Sequence, residues 1–250
     1  MICSFVLGLH PKNGEEEKIY KYINYDYLKE IILKEFSSNE LKKVTISNFL
    51  TKDRIFEDKI YYIKISSIDS ECTLKLLKLL FFYKITNHII SIKNIDFKII
   101  NIYHNSFWAK QLDIKKFMLN EPKNEIKIRF LTPVFFKIGN EYISSVEPIY
   151  IFKNLIKKIK MSSLYNENIL KNIESFKIDK VKVEEKLITK SYIGKLNTVG
   201  IIGEVIFKME SFDKEQLLLF NLLLYFAFFS GIGYLAEKGY GQNTSNLDIV

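Results

Sequence analysis

Between Gln216 and Ala236 the chain reads QLLLFNLLLYFAFFSGIGYLA, 21 residues without one charged side chain. Any fold open to this sequence must bury that segment. A membrane span needs about 20 continuously apolar residues. Here Asn221 interrupts the apolar run and Ser230 gives way to glycines. The segment is therefore expected to be a core helix, and no membrane association is expected.

Directly behind it, in FFSGIGYLAEKGYGQ, stand four of the ten glycines in the chain: Gly231, Gly233, Gly239 and Gly241. Glycine reaches backbone dihedrals closed to other residues and admits close approach of another chain, at an entropic cost on folding. Two glycine pairs around Lys238 read either as a helix cap with a turn, or as a loop that brings its main chain to a ligand. In the second reading backbone N–H groups hold a phosphate while Lys238 neutralises it. A nucleotide-binding P-loop is excluded, because no G-x-x-x-x-G-K-[ST] pattern occurs and this loop follows a helix instead of opening one.

With 250 residues the chain can bury one full core or two small ones. Its 37 Lys and Arg against 29 Asp and Glu leave a formal charge of +8. That excess favours an anionic partner such as nucleic acid, although heavy use of Lys, Ile and Asn with only Arg54 and Arg129 is also what AT-rich coding produces. Cys3 and Cys72 are too few and too far apart for a disulfide framework or a C-x-x-C metal site. With His10, His88 and His104 widely spaced, no metal and no cofactor is expected. No basic region precedes MICSFVLGL, so no signal peptide is expected and the cytoplasm is the expected location.

Along the chain, ICSFVLGL reads as a strand ended by a turn from Pro11 to Gly14, and YDYLKEIILKEF as an amphipathic helix carrying Leu28, Ile31, Ile32 and Phe36. KVTISNFL and IYYIKISSI read as strands, ECTLKLLKLLFF as a helix, and HIISIKNIDFKIINIY as further strand. After NEPKN the series resumes: EIKIRFLTPVFF is a strand, IYIFKNLIKKIK a helix, FKIDKVKVEEKLI and GIIGEVIFKM strands, then the long apolar helix from about Asp213 and a last strand near LDIV. Strand, helix, two strands, helix, strand is the ferredoxin-like order, shared with the RNA recognition module. The fold class expected is α+β, with two tandem ferredoxin-like domains at 1–122 and 123–250. A single mixed α+β domain also fits the alternation.

These residues carry a resemblance. LLLYFAFFSGIGYLAEKGYGQ looks like the C-terminal helix and glycine loop of the CRISPR-associated endoribonucleases that cut precursor guide RNA within its repeats, with Gly231, Gly233, Gly239, Gly241 and Gln242 on the family pattern. FLTPVFFKIGNEY, EPIYIFKNLIKKIK and VGIIGEVIF are similar to the strand, helix and glycine-containing strand that precede it. KKVTISNFL resembles a lysine-proline-phenylalanine-threonine-x-serine segment, with Lys43 and Val44 in place of proline and phenylalanine. The resemblance implies two ferredoxin-like domains side by side, an RNA groove between or across them, and metal-independent cleavage leaving a 2′,3′-cyclic phosphate. In much of the family a leucine-histidine pair closes the first helix. Here KEFSSNELKKVT puts Phe36 and Ser37 roughly at those places, so the usual general acid/base is missing.

Such cleavage needs the 2′-hydroxyl deprotonated, the leaving 5′-oxygen protonated and the phosphorane charge stabilised. Without the histidine, cationic stabilisation and orientation carry more of the rate. The catalytic candidates are Lys42 and Lys43 for charge and Tyr27, or its neighbour Tyr25, to orient the 2′-hydroxyl. His10 is their rival for proton transfer. Ser37 is too weak a base to replace histidine but can contact phosphate. Lys153 and Lys157, with Lys158 and Lys160, would position the RNA backbone without reading bases, and the glycine loop with Lys238 and Gln242 would complete the RNA-binding set. The expected partner is CRISPR repeat RNA, with membership of a CRISPR effector complex and a homodimer as further partners. The alternative function is a guide-RNA-binding subunit of such a complex that does not cut.

Overall fold

The computed structural model describes residues 1–12, 24–50, 59–92, 95–165, 170, 172–211 and 213–247. The expected turn from Pro11 to Gly14 runs out of this range after Lys12. By its internal packing the chain divides into two units, Met1–Gln111 with Glu237–Gly239, and Leu112–Ala236 with Tyr240–Val250.

The first unit follows the order β1 (Ile2–Pro11), α1 (Asn24–Ile31), α2 (Ser38–Leu41), β2 (Val44–Phe49), β3 (Tyr61–Ser67), α3 (Ser70–Ile85), β4 (Ile89–Ile92) and β5 (Ile95–Tyr103). Its strands lie in the order β2-β3-β1-β5-β4, with β6 (Gln111–Leu112) also paired to β1. Neighbours along that order run antiparallel. Alternation along the strands separates two faces. Leu7 and Leu9 of β1, Ile63 and Ile65 of β3, and Phe97 and Ile99 of β5 join Leu28, Ile32, Leu76 and Leu80 in one buried cluster beneath α1 and α3. Asp69 begins α3, its carboxylate accepting the Cys72 N–H at 3.1 Å.

The helix expected over Tyr25–Phe36 ends earlier, at Ile31. Its apolar spacing continues because Leu33 and Phe36, in the turn beyond, also point into the core. What stops the helix from running on is a new start: Ser37, in extended backbone, caps α2 and exchanges hydrogen bonds with Glu40 in a capping box.

The second unit runs α4 (Ile114–Leu119), β7 (Glu125–Val134), a hairpin of β8 (Phe136–Ile138) and β9 (Glu141–Ile143), α5 (Pro148–Ile159), β10 (Val181–Ile193), β11 (Thr198–Met209), α6 (Lys214–Ser230) and β12 (Asn243–Ser245). Its sheet is ordered β10-β11-β7-β12 and antiparallel throughout. Leaving the β4 hairpin and the short pieces aside, both units repeat one plan, in which the first strand lies between the third and the last. The last strand falls at Asn243–Ser245, earlier than the LDIV segment, whose final three residues lie outside the described range.

Nearly every residue of α6 from Leu218 to Ser230 is buried, as an all-apolar helix requires. Asn221, which breaks the apolar run, is fully occupied: its Oδ1 accepts the Lys123 N–H at 3.0 Å and its Nδ2 donates to the Lys123 and Leu217 carbonyls. Phe220 stacks on Phe152 of α5 with ring centroids 5.8 Å apart. Among the described residues no helix is long and apolar enough to cross a membrane.

Candidate nucleic-acid interface

The segment joining α1 to β2 carries the candidates for catalysis. Ser37 is exposed, with its hydroxyl already accepting the Glu40 N–H. Glu40 in turn accepts the Ser37 N–H at 2.6 Å and pairs with Lys75 at 3.2 Å. The bonds from the Ser37 backbone and hydroxyl, then Lys75, hold the Glu40 carboxyl below the usual range. Ser37 is thus a helix cap at the place where the resemblance looks for a proton-transfer group.

Lys42 ends α2 with its side chain exposed. Lys43 differs. Its Nζ lies 3.0 Å from the Asp69 carboxylate, which caps α3. This hydrogen bond raises the Lys43 pKa. Burial pushes the Asp69 carboxyl up, but the Cys72 N–H and Lys43 outweigh it and the net shift is downward. Of the two expected cations, Lys42 faces solvent and Lys43 is bound to a structural carboxylate. Tyr27 lies on α1, but its side chain and that of Tyr25 fall outside the described residues. His10, half-buried near the end of β1, stands opposite Lys98 of β5.

In the second unit, Lys153 and Lys157 are exposed one turn apart on α5. Their neighbours are committed: Lys158 Nζ donates to the Ser230 and Gly231 carbonyls at 3.0 and 2.9 Å, capping the C-terminus of α6, and Lys160 pairs with Glu174.

The four glycines of the loop are buried. Gly231 caps α6, its N–H reaching the Ala227 carbonyl. The Gly233 N–H donates to Asn154 Oδ1 at 2.9 Å and the Gly241 N–H to the Pro133 carbonyl at 3.0 Å. These N–H groups, read from the sequence as a cradle for phosphate, are spent inside the protein, and the close approach they permit is by the protein's own backbone. A Cβ on Gly233 would lie 2.4 Å from the Phe135 carbonyl oxygen, and one on Gly241 only 1.7 Å from that of Ile232. At Gly239, in the short stretch that belongs to the first unit, an added Cβ would lie 2.8 Å from the Ile46 carbonyl oxygen, still closer than real contacts allow. Gln242 is buried, its N–H donating to Thr132 Oγ1. Lys238 keeps a partly exposed ammonium, 3.4 Å from Asp26.

Sequence reasoning passed over Asp69 and Glu40. The capping box was legible as Ser-x-x-Glu, whereas the Lys43–Asp69 pair joins positions 26 residues apart and left no local signal. Among the described residues no three His, Cys, Asp or Glu side chains are gathered as a metal-binding group.

Residues 128–243 match the family model of the CRISPR-associated endoribonuclease Cas6. The fold resembles a Cas6 product complex over 99% of this chain and 100% of that one, with 18% identity and a TM-score of 0.76. A Cas6 from Thermus thermophilus, also in a product complex, gives 18% identity and a TM-score of 0.77 over 98% of this chain and 99% of that one. A Cas6-related protein of Pyrococcus furiosus gives 14% and 0.59, covering 98% of both chains. No curated protein matches the sequence. Residues 128–243 thus carry the pattern of the Cas6 family model, and the fold is shared with Cas6 structures along almost the whole length.

Proposed function

We propose that this chain is a metal-independent endoribonuclease that cuts CRISPR precursor RNA within its repeats. The observation that carries the reading is the family match over residues 128–243 on a fold shared with Cas6 from end to end. The repeated strand plan supports reading the chain as two ferredoxin-like domains, 1–122 and 123–250. The enzyme works in the cytoplasm on repeat RNA, alone, as a homodimer, or handing its product to an effector complex.

In the reaction the 2′-hydroxyl gives up its proton to solvent as its oxygen attacks the adjacent phosphorus, the bond from phosphorus to the 5′-oxygen breaks, and that oxygen takes up a proton from solvent, so no net proton is consumed. The products are a 2′,3′-cyclic phosphate and a 5′-hydroxyl. Lys42, exposed at the end of α2, supplies positive charge to the phosphorane. Lys43, held on Asp69, adds a fixed charge behind it, and Tyr27 orients the 2′-hydroxyl. Ser37, Lys153, Lys157 and Lys238 contact phosphates, and Gly231, Gly233, Gly239, Gly241 and Gln242 shape the loop that carries Lys238.

The test is incubation with the repeat RNA of the same genome beside a shuffled RNA of equal length. The repeat is cut at one position and the shuffled RNA is not. Lys42→Ala lowers the single-turnover rate by on the order of 10²-fold, with a smaller loss of affinity. Tight binding of the repeat by the parent protein without cleavage would instead assign it to the guide-binding subunits.

A further inference from the structure

The sheet of the first unit has a second face, opposite the helices. Along it stand Val6, Gly8 and His10 of β1, Tyr62 and Lys64 of β3, and Lys98, Asn101 and Tyr103 of β5, placed by the strand registers. Toward Ser4 this face is buried. Toward the other end, Tyr62, Asn101, His10 and Lys98 are half-buried, and Tyr103, in register with buried Val6 at the margin where the face opens, is 36% exposed.

Two aromatic rings meet at the open end. Tyr62 and Tyr103 have ring centroids 6.1 Å apart and planes tilted by 58°. They come from strands on either side of β1, and the β1 residue in register with Tyr62 and Asn101 is Gly8. Asn101 Nδ2 donates to the Tyr103 hydroxyl at 3.2 Å.

The glycine is not demanded by the backbone. Its φ lies outside the left-handed region, and a Cβ there would make only ordinary contacts, at 3.4 Å with Asn101 and Ile60. The neighbouring bulge places its extra residue, Ile100, on β5 and not on β1. A glycine inside a strand weakens the strand, and one that neither turn nor packing requires marks a place where something lies close on the main chain. Past Tyr103, the same segment carries Phe107, 64% exposed, with Lys110 Nζ 5.7 Å from its ring centre.

We infer that the open end of this sheet is a stacking platform for unpaired bases of RNA, with Tyr62 and Tyr103 around the bare backbone of Gly8, His10 and Lys98 beside them for phosphate, and Phe107 extending the track. Sheet-borne aromatics suit single strands because every base offers a π-face. The inference rests on reading the chain as an RNA-processing enzyme and adds where the unpaired part of its RNA lies.

The probe is an unstructured RNA of about ten nucleotides, measured for affinity and, with photoreactive uridines, for crosslinked positions. Tyr103→Leu and Tyr62→Leu each weaken binding by roughly 5- to 150-fold, as loss of one aromatic stack does, while Tyr103→Phe binds like the parent. Gly8→Ala is the stringent variant. If the glycine serves only the fold, alanine lowers the melting temperature, and if nothing lies on it, alanine leaves binding unchanged, whereas the platform requires an equal or higher melting temperature with weaker binding. Crosslinks are expected at Tyr62, Tyr103 or Phe107. The inference is overturned if folded Tyr62→Leu, Tyr103→Leu and Gly8→Ala proteins bind the probe as the parent does, whether or not repeat RNA is cut. A parent that fails to cut repeat RNA yet loses probe binding in these variants would end the nuclease reading and leave the platform standing.

Discussion

At Lys43 an ion pair ties the candidate catalytic segment to the cap of α3, as Lys75 ties Glu40 to the helix itself. The partner of Lys43, Asp69, caps α3, so the carboxylate serves both the helix and the lysine. Asp69→Ala should cost about 1 kcal/mol of stability at neutral pH, the usual worth of an N-cap. The dependence on pH follows from the direction of its shift. The Asp69 carboxyl is more acidic in the folded chain than in the unfolded one, so its contribution is complete above the unfolded value of about 3.9 and is lost as pH falls through the folded value. Denaturant titrations of parent and Asp69→Ala should show a gap at pH 7 that narrows as the pH drops below about 4. A gap that stays constant under acid would mean the side chain acts by packing and not by charge.

Among the elements, α6 and its glycine loop divide what sequence can show from what it cannot. The helix was legible because its composition leaves no solvent face, and its start at Asp213 because a capping carboxylate is a local signal. The reason for the glycines was not, since it lies in distant carbonyls: Phe135 against Gly233 and Ile46 against Gly239. The strand Asn243–Ser245 escaped for the same reason, as three polar residues become a strand only because the edge of β7 offers them hydrogen bonds. For the candidate site, Lys42, Lys153 and Lys157 could be named from the sequence as cations, but that Lys158 and Lys43 are occupied is a property of the packing. Two substitutions separate conformation from close approach. Gly139 and Gly241 have φ of 58° and 61°, but a Cβ at Gly139 meets nothing within 4 Å. Gly139→Ala should therefore cost about 1–2 kcal/mol, the strain of left-handed backbone alone. Gly241→Ala must also displace the Ile232 carbonyl, and roughly 4 kcal/mol or more is expected. Equal losses in chemical denaturation would show that the loop yields freely.

For the molecule as a whole, a formal charge of +8 and a twice-used strand plan are shared by RNA enzymes and RNA carriers alike. The claim that sets this chain among the enzymes is that it promotes attack by the 2′-hydroxyl of the RNA, with lysine and tyrosine in place of histidine, and so cuts the repeat. The measurement that meets it most directly is cleavage of the repeat RNA in excess EDTA, with the 3′ end of the 5′ fragment identified by mass and a second substrate carrying 2′-deoxyribose at the cut position. The expected result is undiminished cleavage, a 2′,3′-cyclic phosphate on the fragment, and a deoxy substrate that binds and stays whole. Loss of cleavage in EDTA, a 3′-hydroxyl on the fragment, or cutting of the deoxy substrate would contradict it.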